Sequence, residues 1–169
     1  PALMTFGTDA QRQEYLPRIL RGDVHFSIGY SEPEAGTDLA SLRTTAVKDG
    51  DQWVINGQKV FTSLVEWADY VWLAARTDPD VKKHKGISIF IVDTKSEGFT
   101  MAPTRTIGDN ACATTYYENV RVDSSMMVGE PGGGWKLITT QLNHERVTLM
   151  TVGLLQRMVD ETTAWAHRT

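Results

Sequence analysis

Two stretches of this sequence hold side chains that could do chemistry. The first is Tyr30-Ser31-Glu32-Pro33-Glu34-Ala35-Gly36-Thr37-Asp38-Leu39-Ala40-Ser41. Gly36 allows a backbone to approach closely, and Ser31 and Thr37 offer hydroxyls and neighbouring N–H groups to a phosphate or a heterocycle edge. The same residues also make a plain polar turn held by Ser and Asp side chains. The second stretch is Gln141-Leu142-Asn143-His144-Glu145-Arg146-Val147. A mid-helix Glu beside an Arg is commonly a solvated pair. In a desolvated cleft the same carboxylate is a general base. His144 lies about 100° round the helix from Glu145 and reads as packing or solvent-facing. Gly132-Gly133-Gly134 is either an anion site at the helix N-terminus or a flexible lead-in turn.

These stretches must be positioned by the elements around them. Thr8 or Asp9 caps a helix with an apolar stripe of Tyr15, Leu16, Ile19 and Leu20, closed by Gly22 and Asp23. Pro17 within it implies a kink or a late start. From Val24 to about Val128 the periodicity is that of strands. Val24 to Tyr30 alternates, and Arg43 to Lys48 and Trp53 to Ile55 flank the hairpin signature Asp49-Gly50-Asp51. Asn56-Gly57 reads as a second turn leading into Lys59-Val60-Phe61. Tyr70 to Ala75 and Ile87 to Val92 are apolar runs of the kind that form buried strands, separated by a polar loop from Thr77 to Gly86. Ala113 to Val122 is a further strand. Short strands spaced by turn signals indicate a β-barrel or sandwich. A helix then runs from Trp135 at least to the end of the chain, with Ile138, Leu142, Leu149, Val152 and Gln156 near one face and Leu155, Met158 and Val159 extending it.

Composition narrows the function classes. The chain has 169 residues, 41% hydrophobic and 22% charged, which is the balance of a globular domain with a sizeable core. A net charge of -4 without like-charge blocks argues against general nucleic-acid or membrane-surface binding. Cys112 is the only cysteine, so neither an internal disulfide nor a thiolate metal cage can form, and a cytoplasmic setting fits. No stretch approaches the roughly 18 apolar residues of a membrane span. The helical pattern reaches Thr169 without a Gly or Pro, so the sequence is expected to be a piece of a longer protein.

Three ordered motifs carry a family resemblance. Ser31-Glu32-Pro33 through Ala35-Gly36-Thr37-Asp38 after a strand is similar to the signature of acyl-CoA dehydrogenases. Ile55-Asn56-Gly57-Gln58-Lys59-Val60-Phe61-Thr62-Ser63, with Ala68-Asp69-Tyr70 and Ala75-Arg76-Thr77-Asp78, is the second element. Tyr117-Glu118-Asn119-Val120-Arg121-Val122, then Val128-Gly129-Glu130 and Gly134-Trp135-Lys136, is the third. The resemblance implies a mainly β fold with flanking α. Residues 1–22 would end an N-terminal helical domain, 23–130 would form the middle-domain β-barrel that binds flavin and acyl-CoA, and 131–169 would be the first helix of a truncated C-terminal helical bundle. The implied FAD contacts are Ile28, Tyr30, Ser31, Gly36, Thr37, Phe61, Thr62 and Ser63. Tyr30 and Ser31 would lie at the pyrimidine edge, Gly36 and Thr37 at the pyrophosphate, and the Phe61–Ser63 segment beside the isoalloxazine ring. Family members usually carry Trp at the position of Phe61, so an aromatic face remains and an indole N–H is lost. Thr37, Asn143 and Arg146 would touch acyl-CoA. Glu145 just before Arg146 matches the branches whose base sits there. No metal is implied.

The implied reaction is α,β-dehydrogenation of an acyl-CoA to the 2-enoyl-CoA. Glu145 takes the α-proton, the β-hydride goes to FAD, and an electron-transfer flavoprotein or similar acceptor follows. His25 to Pro33, Leu42 to Val47 and Gln141 to Arg146 resemble actinobacterial dehydrogenases of steroid side-chain CoA esters, which are α2β2 heteromers. Partners would therefore be acyl-CoA, the electron acceptor and further subunits in a homo- or hetero-oligomer. The isolated segment is expected to be inactive. Two alternatives use the same scaffold: a flavin-dependent oxidase, and a non-catalytic subunit completing a neighbour's FAD site.

Overall fold

The structure, a computed structural model, describes residues 1–108, 111–148 and 152–168. Two short N-terminal helices come first, α1 (Ala2–Phe6) and α2 (Asp9–Arg21). Thr8 caps α2 through a reciprocal box with Gln11, and Gly22, at φ 76°, closes it in the left-handed conformation. Pro17 lies inside α2, so the helix does not start late.

Eight strands follow: β1 (Phe26–Gly29), β2 (Thr45–Asp49), β3 (Gln52–Ser63), β4 (Tyr70–Arg76), β5 (Ile87–Asp93), β6 (Phe99–Thr104), β7 (Cys112–Asp123) and β8 (Met127–Val128). Their order is β6-β7-β3-β2-β4-β5-β8, with β1 pairing parallel to β4. The β-barrel expected from the strand spacing does not close, because this hydrogen-bonded path ends at β6 on one side and β8 on the other. A single parallel bridge, Thr45 to Arg76, joins the two halves. They fold over each other instead. Trp53, Ile55, Ala113, Tyr117 and Val120 of β3 and β7 pack on Val71, Leu73, Ala75, Phe90 and Val92 of β4 and β5.

The alternate residues of β4 and β5 face the helices. Trp72, Ala74, Ile87, Ile89 and Ile91 pack with Leu3, Tyr15, Leu137 and Ile138. Both strands are thus covered on both faces, which is why they read as continuous apolar runs rather than alternating ones. The last two helices are α3 (Gly134–Thr148) and α4 (Val152–Ala166), so the expected C-terminal helix is present in two described parts. Leu149, placed on its apolar face by sequence, lies outside the described residues. Val152, Leu155, Met158 and Val159 of α4 are exposed. No described helix is long and apolar enough to cross a membrane.

Asn56-Gly57 is a correction. It is not a turn, because β3 runs straight through it with a register shift between Ile55 and Gly57. Gly57 has φ 150°, and a Cβ there would meet the Thr44 Cα at 2.7 Å. The glycine serves close strand approach, so the turn-like dipeptide marks a bulge. The glycines ahead of α3 are also packed rather than loose. Gly132 donates its N–H to Ser88 Oγ (2.9 Å), and a Cβ on Gly134 would meet the Ile87 carbonyl at 2.7 Å.

Candidate active site

The cleft forms where the sheet splits. β1 and β2 occupy the same edge of β4 end to end, and β3, paired to β7 along its length, has β2 on its other edge only as far as Asn56, so a seam opens between β1 and the far end of β3. Two contacts hold its walls: Val60 N–H donates to Ser31 O, and Ser27 Oγ donates to Ser63 O, both at 2.8 Å. A second register shift in β3, between Lys59 and Thr62, releases Val60 and Phe61 from the ladder. Phe61 has φ 57° and Leu64 φ 61°, conformations that cost non-glycine residues roughly 1–3 kcal/mol each. Phe61 is 71% exposed, so most of it packs against none of the described residues. Leu142 and Glu145 of α3 face the seam and complete a cleft of about 360 Å³.

Six of the residues singled out by sequence line this cleft: Ile28, Tyr30, Ser31, Phe61, Ser63 and Glu145. The others lie elsewhere. The Thr62 side chain is fully buried, with its hydroxyl 3.4 Å from that of Thr115, because the pleat that turns Phe61 and Ser63 outward turns Thr62 inward. Gly36 and Thr37 are exposed and follow a small hairpin in which Glu32 and Ala35 exchange backbone hydrogen bonds of 3.1 Å. Asn143 and Arg146 are exposed on α3 and contact each other at 3.5 Å. His144 is exposed, its Nδ1 2.8 Å from Thr140 O.

Glu145 sits at the end of a chain of hydrogen bonds. Trp72 Nε1 donates to Tyr30 Oη (3.0 Å), Tyr30 donates to Gln141 Oε1 (2.6 Å), and Gln141 Nε2 donates to Glu145 Oε2 (2.8 Å). Burial pushes the Tyr30 hydroxyl pKa well up; the Trp72 hydrogen bond opposes this and the Glu145 charge adds to it. Sequence reasoning passed over Gln141 and Trp72. The spacing of Gln141 four residues before Glu145 was a usable signal, since such positions face each other on a helix. Nothing set Trp72 apart from other apolar residues of its strand.

An ion pair beneath the cleft joins the first two motifs. Lys59 Nζ is 2.8 Å from Glu32 Oε1 and also donates to Tyr30 O (3.1 Å); Lys59 is 0% and Glu32 7% exposed. The N–H groups of Arg43 and Thr44 donate to the same carboxylate at 2.6 and 2.9 Å. Burial would raise the Glu32 pKa, but the Lys59 charge and these donors outweigh it and hold it below the ordinary value. Burial pulls the Lys59 ammonium down to about 8 against the opposing pull of Glu32. The pair fixes the loop of the first motif to β3, a role that composition and spacing did not reveal.

Comparison with known proteins accords with this geometry. Residues 27–120 match the family model "acyl-CoA dehydrogenase, middle domain", and residues 132–169 match "acyl-CoA dehydrogenase, C-terminal domain". Acyl-CoA dehydrogenase FadE26 of Mycobacterium tuberculosis is 55% identical over 172 aligned residues, covering 100% of this chain and 43% of that protein. The solved ChsE4-ChsE5 complex from Mycobacterium tuberculosis is similar with a TM-score of 0.91 at 56% identity, over 100% of this chain and 44% of that one. The Tcur3481-Tcur3483 steroid ACAD is similar with a TM-score of 0.94 at 56% identity, with the same coverage. This chain spans under half the length of these relatives. Over that span its motifs, its folded-over sheet and both domain matches agree, and the chain belongs to the acyl-CoA dehydrogenase family.

Proposed function

We propose that the protein containing this chain is an FAD-dependent acyl-CoA dehydrogenase, with Glu145 as the base that removes the substrate α-proton. The observation that carries this reading is that Glu145 of α3 and the Phe61–Ser63 end of β3 line one cleft. The side chains there suit a flavin. Phe61 presents an aromatic face unused by the core, and Ser31 and Ser63 bring hydroxyls to the same walls. Tyr30 and Ile28 would complete the contact, with Gly36 and Thr37 meeting the pyrophosphate outside the cleft. Bound there, FAD supplies a two-electron acceptor for the β-hydride.

This chain's own part is to hold the thioester substrate so that its α-carbon meets Glu145. The α-proton passes to the carboxylate as the Cα–Cβ double bond forms, and the apolar walls exclude water. Arg146 and Asn143, on the exposed side of α3, would meet the CoA portion. The 56% identity to the steroid ACAD supports a steroid CoA ester as substrate, and the two-component names of that protein and of the ChsE4-ChsE5 complex support a heteromeric assembly, for which the motif resemblance implies α2β2. The presence of Glu145 favours the base-bearing subunit over a non-catalytic partner, and an electron-transfer flavoprotein would be the acceptor.

Glu145→Gln in the full-length, FAD-loaded assembly tests this. The variant should retain FAD and bind acyl-CoA nearly as before, while single-turnover flavin reduction falls by at least the ~10²–10⁴ of general-base catalysis. Reduction at a near-normal rate would remove Glu145 from the base role. Rapid reoxidation of the reduced wild type by oxygen would favour an oxidase instead.

A further inference from the structure

We propose that Gln141 is a positioning residue for Glu145, with its amide oriented by the donor chain that starts at Trp72; this rests on Glu145 being the base. The direction of the chain follows from its ends. An indole N–H can only donate, so at 3.0 Å Tyr30 Oη must accept from Trp72. The Tyr30 proton then points to the 2.6 Å contact with Gln141, which fixes the Gln141 oxygen toward Tyr30. Its NH₂ is left facing Glu145 Oε2 at 2.8 Å. A flipped amide would set two acceptors against each other at an ionised carboxylate, so both ends specify the same orientation.

Three consequences follow for the carboxylate. The hydrogen bond to the carboxylate is charge-assisted and so stronger than one between neutral groups. The N–H takes up one of the two lone pairs of Oε2, which lessens the share of that oxygen in receiving the α-proton. The rotamer of Glu145 is tied through Gln141 to two side chains that are almost fully buried, Tyr30 at 6% and Trp72 at 7% exposure. The anchor lies in the helix-side core, while the group it holds faces the cleft. Rigid support of this kind keeps a reactive oxygen within the small tolerance that proton transfer requires.

The test uses the full-length, FAD-loaded assembly and reads the limiting rate of flavin reduction separately from the apparent affinity for acyl-CoA. Gln141→Leu should lower the limiting rate roughly 10- to 100-fold, as expected for a lost hydrogen bond to a charged group, and leave affinity and FAD content nearly unchanged. Tyr30→Phe, which keeps the ring, should lower the rate several-fold on its own and have no further effect in the Gln141→Leu background. That non-additivity separates action through Gln141 from a packing effect. An unchanged rate in Gln141→Leu, or an equal Tyr30→Phe loss in both backgrounds, overturns the proposal. Glu145→Gln measured alongside distinguishes the failures. If it abolishes reduction while Gln141→Leu does nothing, the base stands and the positioning role falls; if it leaves reduction intact, the base assignment itself is wrong and the positioning role falls with it.

Discussion

Strand β3 carries two bulges four residues apart in character as well as in place, and they have different causes. At Gly57 the irregularity is answered inside the chain: the missing side chain lets Thr44 come so close that a Cβ would overlap it. At Phe61 no comparable close approach is found among the described residues. A large aromatic residue holds a left-handed backbone conformation with most of its side chain exposed. Strain at a largely exposed side chain points to a surface shaped for something else, and Phe61 is where the proposed flavin ring would lie. Between the two, Lys59 is paired to Thr115 in the ladder and buried against Glu32.

The largest expected effect tests the clamp between the bulges. Lys59→Met leaves the Glu32 carboxylate buried without its cation and should cost about 3–5 kcal/mol of stability by denaturant unfolding of the full-length protein. A loss below about 1 kcal/mol would mean that the N–H groups of Arg43 and Thr44 suffice. Acidification probes the same pair in the wild type. The folded Glu32 pKa lies below its ordinary 4.5, so the unfolded chain takes up the proton first. The contribution of this carboxylate is therefore full above about pH 4.5 and lost as pH falls through the lower folded value.

Gly57→Ala comes next. It forces a methyl group into the Thr44 backbone at a strained φ and should cost roughly 1–3 kcal/mol. Phe61→Gly should have the smallest effect on folding, within about 1 kcal/mol, because relief of the backbone conformation offsets the entropy of the added glycine. FAD retention by the full-length protein should nevertheless weaken, as read by flavin absorbance after gel filtration. If Phe61→Gly unfolds the protein as readily as Gly57→Ala, the distinction between the bulges fails.

The sequence made some of these features readable and concealed others for physical reasons. The apolar runs of β4 and β5 were legible because burial on both faces leaves no polar alternation. Asn56-Gly57 misled because that dipeptide reports tolerance of unusual φ, which a bulge needs as much as a turn does. β6 left no pattern at all: from Thr100 to Thr104 every residue is exposed, and Pro103 sits within it. At the candidate site, Glu145 was singled out by its place in a motif. Its partners Gln141, Tyr30 and Trp72 come from a helix, the end of β1 and β4, and only folding brings them into one line. Glu32 and Lys59 were both quoted as motif letters, but 27 residues apart nothing announced that one neutralises the other.

Trp72 belongs to two systems at once. Its ring fills the layer between sheet and helices, and its single N–H begins the chain that ends at Glu145. Sequence drift to Phe or Leu at this position could keep that layer filled while leaving the Tyr30 hydroxyl free to rotate. On the proposed positioning role, a protein altered there would still fold yet turn over slowly. Packing asks only for a large apolar side chain here; under the proposed role of Gln141 it is the N–H that asks for tryptophan.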